Sequence, residues 1–258
     1  MLLRTSNNLK YLYLDEIICN QLIYENLYEN TTITSIDLYN LNSNYKFKAI
    51  DILVKVLYKN STLTSLNLGS IQLGFEGMKS LSKALYQNTA LNSLDLRYNQ
   101  IGAKGGKLLA DFLWKNNSLV SLSLTNNNLR SEGGKALADA LCKNITLTSL
   151  DLESNELGLE GVKAIADALC KNSTLTSLNI ASNNIVLEGG KALADALCKN
   201  ITLKNLNLYY NELRSEGGKA LANSLCKNIT LKNLDLRNNY IGLEGDCQQT
   251  ILKFEYTV

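Results

Sequence analysis

The stretch Thr146-Leu-Thr-Ser-Leu-Asp-Leu-Glu-Ser-Asn-Glu-Leu157 decides the fold of this chain, because the same pattern recurs at a fixed spacing. The first leucines of successive copies lie 28 residues apart, at Leu63, Leu91, Leu119, Leu147, Leu175, Leu203 and Leu231. Such a period indicates a solenoid, in which each unit contacts only its neighbours and the stacked units present an extended surface. The period therefore predicts one elongated repeat fold for the 258-residue chain.

Each copy is predicted to begin with a short strand and a turn. The repeated leucine pattern places Leu147, Leu150 and Leu152 in the core, with Ser149 and Asp151 facing outward. An asparagine follows the strand where the chain must bend, and its amide can both donate to and accept from backbone groups that the bend leaves open. We expect this column to be structural, and it contains Asn99, Asn127, Asn155, Asn183, Asn211 and Asn239.

The second half of each copy is predicted to be a helix. In residues 131–144, Leu137 and Leu141 lie four positions apart and share one face. Asp139 and Lys143 have the same spacing with the acid first, which is the favourable order on an exposed helix surface. The helices therefore form an outer wall, with the strands on the opposite side.

Two further columns recur near the predicted helix ends. Asparagine is common at a left-handed C-cap, so we predict that role for Asn60, Asn88, Asn116, Asn144, Asn172, Asn200 and Asn228. A second column contains Cys142, Cys170, Cys198 and Cys226 and is interpreted as small buried apolar residues. Solenoid repeats stack roughly 10 Å apart, which is too far for neighbouring cysteines to form disulfides.

The predicted organisation is a single domain over residues 1–258. Residues 1–62 form an irregular N-terminal cap with the first repeats, residues 63–241 form the regular repeats, and residues 242–258 form a C-terminal cap. Counting the two irregular copies gives nine strands. A last short helix is expected over residues 244–252, where it covers the open edge of the final repeat.

Composition excludes several classes of function. The net charge is +2 and there is no histidine, so the sequence offers neither a basic face for nucleic acid nor the usual general base or metal ligand. No apolar run is long enough to span a membrane, and the N-terminus does not have the pattern of a signal peptide. We therefore expect a cytoplasmic monomer in a reducing compartment, without a cofactor, a metal, or a nucleic-acid or membrane partner.

One glycine-rich motif imitates a phosphate-binding loop. Residues 102–107 read Gly-Ala-Lys-Gly-Gly-Lys, but a phosphate loop needs four residues between its glycines and a Ser or Thr after the lysine. Here Leu108 follows the lysine. We interpret these glycines as sites where a helix begins close to its neighbours.

The pattern resembles the leucine-rich repeats of the ribonuclease-inhibitor-like class, which combine this strand motif with a full helix in about 28 residues. The sequence of residues 132–141 is also similar to repeats of NOD-like receptors and of the Ran GTPase-activating protein. It reads Glu-Gly-Gly-Lys-Ala-Leu-Ala-Asp-Ala-Leu. The resemblance implies an α/β fold, a right-handed leucine-rich-repeat solenoid (horseshoe) with a parallel concave sheet and convex α-helices.

Comparison of the copies within the chain suggests where a partner binds. Positions that vary between copies lie side by side on the predicted concave face, and tyrosine and arginine, which are enriched in binding hot spots, occur among them. A partner-binding site is therefore predicted on the concave face, richest near the C-terminal end. Its candidate residues are Arg97, Tyr98, Glu153, Lys204, Tyr209, Tyr210, Lys232, Asp235 and Arg237. Neutral drift of exposed positions remains the alternative explanation.

The leading hypothesis for function is a non-catalytic protein–protein interaction scaffold, because no catalytic motif is found. The alternative is a regulator of a small GTPase, resembling the Ran GTPase-activating protein. A GTP-hydrolysis assay against a panel of GTPases separates the two.

Overall fold

The computed structural model of the chain describes residues 9–13, 27, 30–40 and 46–242. Within them, nine strands form one parallel sheet whose strand order follows the sequence, as predicted. The strands are β1 (Tyr11–Tyr13), β2 (Ser35–Asp37), β3 (Ser65–Asn67), β4 (Ser93–Asp95), β5 (Ser121–Ser123), β6 (Ser149–Asp151), β7 (Ser177–Asn179), β8 (Asn205–Asn207) and β9 (Asn233–Asp235).

One helix connects each pair of consecutive strands from β2 onward. In the described part of the chain these are α1 (Lys46–Lys59), α2 (Gly74–Leu85), α3 (Gly102–Lys115), α4 (Arg130–Leu141), α5 (Gly158–Leu169), α6 (Leu187–Leu197) and α7 (Arg214–Leu225). The strand leucines fill the space between sheet and helices: Leu147, Leu150 and Leu152 are all buried. The predicted α/β solenoid is confirmed.

The asparagine column after the strands connects neighbouring repeats. The Asn155 amide nitrogen donates to the carbonyl oxygens of Leu124 (2.8 Å) and Leu152 (3.0 Å). Its carbonyl oxygen accepts from the backbone N–H groups of Asn127 (3.1 Å) and Leu129 (3.3 Å) in the preceding repeat. Asn155 is fully buried, so its side chain replaces the water that these backbone groups would otherwise need. The predicted structural role is confirmed.

The asparagines near the helix ends do not act as left-handed C-caps, so that prediction is wrong. None of the seven has a positive φ, and Asn116 is extended at φ −75° and ψ 135°. The Asn144 carbonyl oxygen instead accepts from the backbone N–H groups of Thr146 (3.0 Å) and Leu147 (2.8 Å). Its amide donates to the carbonyl oxygen of Leu113 in the preceding repeat at 2.7 Å. An asparagine whose side chain forms hydrogen bonds with the residues that follow it and with the preceding repeat needs no left-handed backbone.

The prediction of a buried cysteine column is also wrong. Cys170 and two equivalents are exposed, and Cys142 is half-buried; all four are free thiols. The column follows the last buried leucine of each helix by one residue, which turns the side chain toward solvent. Trp114 occupies the same column, is 54% exposed, and has the Lys143 ammonium 4.8 Å from its ring centroid. Cys19 and Cys247 lie outside the described residues.

The glycines of the false phosphate motif pack helices together. Gly105 and Gly106 are buried inside α3, and they do not form a loop before it. A Cβ built on Gly106 would lie 3.2 Å from the Cα of Gly133 in α4, tighter than ordinary contact between carbon atoms. Glycine therefore permits the close approach of α3 and α4. The expected helix over residues 244–252 lies outside the described residues.

Candidate functional site

The candidate residues lie on the surface that the sheet turns away from the helices, here called the strand face. It comprises the outward side chains of β2–β9, of the residue directly before each strand, and of the two residues after each third strand leucine. The register aligns β8 directly with β9, and Asn207 is opposite Asp235. Six candidates therefore lie on or directly beside these two adjacent strands. We name them the C-terminal cluster: Lys204, Tyr209, Tyr210, Lys232, Asp235 and Arg237.

One end of the C-terminal cluster is a connected group of an ion pair and two aromatic rings. The Arg237 guanidinium donates to Asp235, with Nη2 and Oδ2 2.6 Å apart. This hydrogen bond lowers the pKa of Asp235. The guanidinium carbon lies 5.7 Å from the ring centroid of Tyr209, a distance typical of cation–π contact. The Tyr209 and Tyr210 ring centroids are 6.0 Å apart. Arginine and aromatics thus form one continuous surface.

The other end of the cluster is a pair of lysines. The backbone N–H of Lys232 donates to the carbonyl oxygen of Lys204 at 2.7 Å, so the two residues lie side by side on neighbouring strands. Both side chains are exposed. Five backbone steps lead from Lys204 to Tyr209, which sets an upper limit of roughly 16 Å for their separation along the chain. The cluster therefore has a cationic end and an aromatic end.

Arg97 and Tyr98 form a smaller group toward the N-terminal end. The Arg97 Nε donates to Asp95 Oδ2 at 2.7 Å, and this hydrogen bond raises the pKa of the arginine. A Cβ built on Gly69 would lie 2.7 Å from Tyr39 Cδ2 and 3.0 Å from Arg97 Cγ. The missing side chain at Gly69 thus leaves room for Tyr39 beside Arg97. Sequence reasoning missed Tyr39, although its alignment with Arg97 was visible once the copies were in register.

Glu153 is separate from both groups. Its Oε2 accepts from Asn179 Nδ2 at 3.0 Å, and the side chain is half-buried in the middle of the strand face. Asp151 lies next to it, and burial raises the pKa of that carboxyl group. The predicted site therefore divides into two tyrosine–arginine groups with an acidic region between them.

The tyrosines of both groups have an unusual backbone conformation. Tyr98 has φ +57° and Tyr210 has φ +53°, in the left-handed region that bulky residues rarely adopt. Asn126 and Asn238 occupy the same column with nearly the same φ, and asparagine tolerates this conformation better. A sequence signal existed, because this column otherwise holds asparagine and serine, which are common turn residues.

The described residues offer little else that bears on chemistry. They contain no group of three or more His, Cys, Asp or Glu side chains that could hold a metal ion. Over the same ranges, no helix has the length and apolar character needed to cross a membrane.

Comparison with known proteins agrees with this architecture. The chain is similar in structure to the actin-binding site 2 (ABS2) of leiomodin-1, at 24% identity and a TM-score of 0.51, over 58% of this chain and 86% of that one. It is also similar to the tropomodulin C-terminal domain of Caenorhabditis elegans, at 16% identity and a TM-score of 0.49, over 59% and 92% of the two chains. No curated protein matches the chain.

A family model described as Leucine Rich repeat matches seven segments that together cover more than half of the chain. They are residues 59–82, 87–110, 115–138, 143–166, 171–194, 199–222 and 227–245. Stacked repeats of this kind provide an extended surface for binding, so the chain has the architecture of a protein-interaction scaffold. The match and the strand–helix period together show that the chain belongs to the leucine-rich repeat family, with the ribonuclease-inhibitor-like type of repeat.

Proposed function

We propose that the chain is a non-catalytic scaffold that binds a protein partner on its strand face, the predicted concave side, mainly through the C-terminal cluster. The observation that carries the proposal is the contact group of Tyr209, Tyr210 and Arg237. Tyrosine and arginine are enriched in binding hot spots, and here they touch one another and remain accessible, with Tyr210 62% exposed.

The cost of placing Tyr210 supports the same proposal. A left-handed backbone costs a non-glycine residue roughly 1–2 kcal/mol, and neighbouring copies hold asparagine or serine in this column. Tyr210 gains little burial in exchange, because it stays 62% exposed. A bulky aromatic residue that is both strained and exposed is better explained by contact with a partner than by folding.

The test is capture of a partner by the full chain and by a variant built from its own repeats. Tyr209→Thr with Tyr210→Asn copies the pair Thr125 and Asn126, and Arg237→Thr removes the guanidinium. We expect this triple variant to lose capture from a cytosolic extract while its thermal unfolding midpoint is unchanged. Trp114→Ala is the matched control, because it removes an exposed aromatic residue from the helix side and leaves the strand face intact.

Unaltered capture by the triple variant would reject the strand-face site. Purified actin is one defined probe for the same assay, because the leiomodin-1 structure is described as an actin-binding site.

No described feature specifically favours the alternative of a small-GTPase regulator, and stimulation of GTP hydrolysis would be its signature. Free thiols at four cysteines support the proposed reducing, cytoplasmic setting.

A further inference from the structure

We infer that the C-terminal cluster binds a short extended segment with carboxylates at one end and apolar side chains at the other. The carboxylates would lie on Lys204 and Lys232, and the apolar side chains on Tyr209 and Tyr210. This inference rests on the proposed function and names the chemical class of its partner.

The lysine pair has no counter-ion among the described residues. Neighbouring parallel strands are about 4.8 Å apart, and like charges placed directly opposite each other on a sheet are destabilising. Neither Lys204 nor Lys232 forms an ion pair within the described ranges. In the five preceding repeats the same position is uncharged, as Thr64, Asn92, Val120, Thr148 and Thr176. Two adjacent ammonium groups without a counter-ion form a site that carboxylates would neutralise.

The opposite end of the cluster favours apolar contact. The charge of Arg237 is already balanced by Asp235, which it contacts at 2.6 Å. The two tyrosine rings beside it supply exposed aromatic surface, and Glu212 lines the same shallow cavity as Tyr210. A second acidic group on the partner would be repelled by Glu212, whereas an apolar side chain could pack on the rings.

The distance between the two ends sets the length of the segment. At most roughly 16 Å of chain separates Lys204 from Tyr209, which corresponds to about five residues of extended peptide. The observations favour a peptide over nucleic acid, because a nucleic-acid site needs a broad basic surface. Here the surface has two uncompensated cations at one end, carries Asp235 as well, and has Glu212 at the other end, on a chain whose net charge is only +2.

The test uses the full chain and a fluorescent peptide of about seven residues, with two glutamates, three serines, then leucine and phenylalanine. Matched variants are taken from the chain itself: Lys204→Thr with Lys232→Thr restores the threonine of Thr148 and Thr176. Exposed ion pairs contribute modestly, so we expect the double variant to weaken binding about tenfold. A peptide with glutamines in place of the glutamates should lose a similar amount. Binding to the parent chain should also weaken as salt is raised.

Other outcomes would overturn the inference. Equal binding of the glutamate and glutamine peptides, or no effect of the lysine substitutions, would show that the lysines do not select acidic segments. Tighter binding of a single-stranded RNA of similar length would point to nucleic acid instead. The proposed function fails separately, because it depends on partner capture by the Tyr209, Tyr210 and Arg237 variant. Loss of that capture with no effect of the lysines would refute this inference alone.

Discussion

At the scale of single residues, the strand face carries side chains that the repeat does not need for its own folding. Tyr98 and Tyr210 occupy left-handed positions where Asn126 and Asn238 fit with less strain. Asp151, by contrast, serves the scaffold, because it and Asn179 each accept a hydrogen bond from the backbone N–H two residues further along the chain. The tyrosine positions therefore separate residues that serve a surface from those that serve the scaffold.

The strain at Tyr210 gives a prediction about stability. Tyr210→Asn should leave the free energy of unfolding unchanged or raise it by up to about 1 kcal/mol, because asparagine tolerates positive φ. Urea denaturation of the purified variant measures this. A loss of more than about 2 kcal/mol would mean that the tyrosine ring stabilises the fold, and Asn238→Ala serves as the control for removing a side chain from this column.

Asp151 gives a prediction about pH. Burial raises the pKa of its carboxyl group in the folded chain, so the folded state holds the proton more tightly than the unfolded state. Its contribution to stability is therefore present below the ordinary carboxyl pKa and is lost as the pH rises through the folded-state value. Asp151→Asn, which mimics Asn179, should stabilise the chain by a few tenths of a kcal/mol near pH 7. The difference should shrink near pH 4.

Urea denaturation at both pH values measures the effect of Asp151→Asn. Asp235→Asn is the contrasting variant, because the hydrogen bond from Arg237 lowers the pKa of Asp235. Removal of that charge should not stabilise the chain at neutral pH. A benefit of Asp151→Asn that is equal at both pH values would contradict the argument from burial.

At the scale of elements, the asparagine after each strand connects one repeat to the next. Asn155 makes hydrogen bonds to backbone groups of its own repeat and of the preceding one. Asn239, the last in the described ladder, donates in the same way, but its buried carbonyl oxygen accepts no hydrogen bond from the described residues. The two positions therefore differ in how many backbone partners depend on them.

This difference predicts unequal costs for the same substitution. Asn155→Ala leaves backbone donors and acceptors buried and unpaired, and should lower the free energy of unfolding by about 3 kcal/mol or more. Asn239→Ala should cost less, because no donor loses an acceptor. Chemical denaturation of both variants compares them directly. Equal losses would show that the accepting bonds contribute little.

The type of residue at the start of a helix changes the position at which that helix begins. Gly74, Gly102 and Gly158 begin their helices with positive φ, whereas the equivalent Val186 is extended at φ −89° and ψ 179°. A β-branched residue cannot adopt the left-handed conformation cheaply, so α6 begins one residue later, at Leu187. Val186 instead forms an isolated bridge with Glu212.

At the scale of the whole molecule, the period was sufficient to predict the strand order, the helices and the core. It was sufficient because a repeat of fixed length can stack in only one register. Features that depend on side-chain geometry were less predictable. The second asparagine column and the cysteine column were misassigned, since the sequence does not show whether a side chain near a helix end bonds across repeats or faces solvent. The face on which each candidate residue lies was predictable, whereas its part in binding stays a prediction. The closeness of Tyr39 to Arg97 was not predictable, because it depends on Gly69 between them.

Stacking also predicts how stability is distributed along the chain. Central repeats have a neighbour on both sides, whereas β1 and β9 are each paired with only one described strand. In such nearest-neighbour systems, terminal units open most easily. Hydrogen exchange should therefore show the slowest amide exchange in β4–β7 and faster exchange toward both ends. Uniform protection from β1 to β9 would indicate that the solenoid opens as one cooperative unit.

The uniform register has a consequence for the spacing of the two tyrosine–arginine groups. Arg97 and Tyr209 follow strands that are four steps apart in the sheet, a separation of about 19 Å at 4.8 Å per strand. Loss or duplication of one complete repeat would shorten or lengthen that separation by one step, and every asparagine would keep an equivalent partner. The fixed strand spacing therefore limits the distances that are possible between the two tyrosine–arginine groups. That distance could change in evolution by whole repeats, without any change in either group.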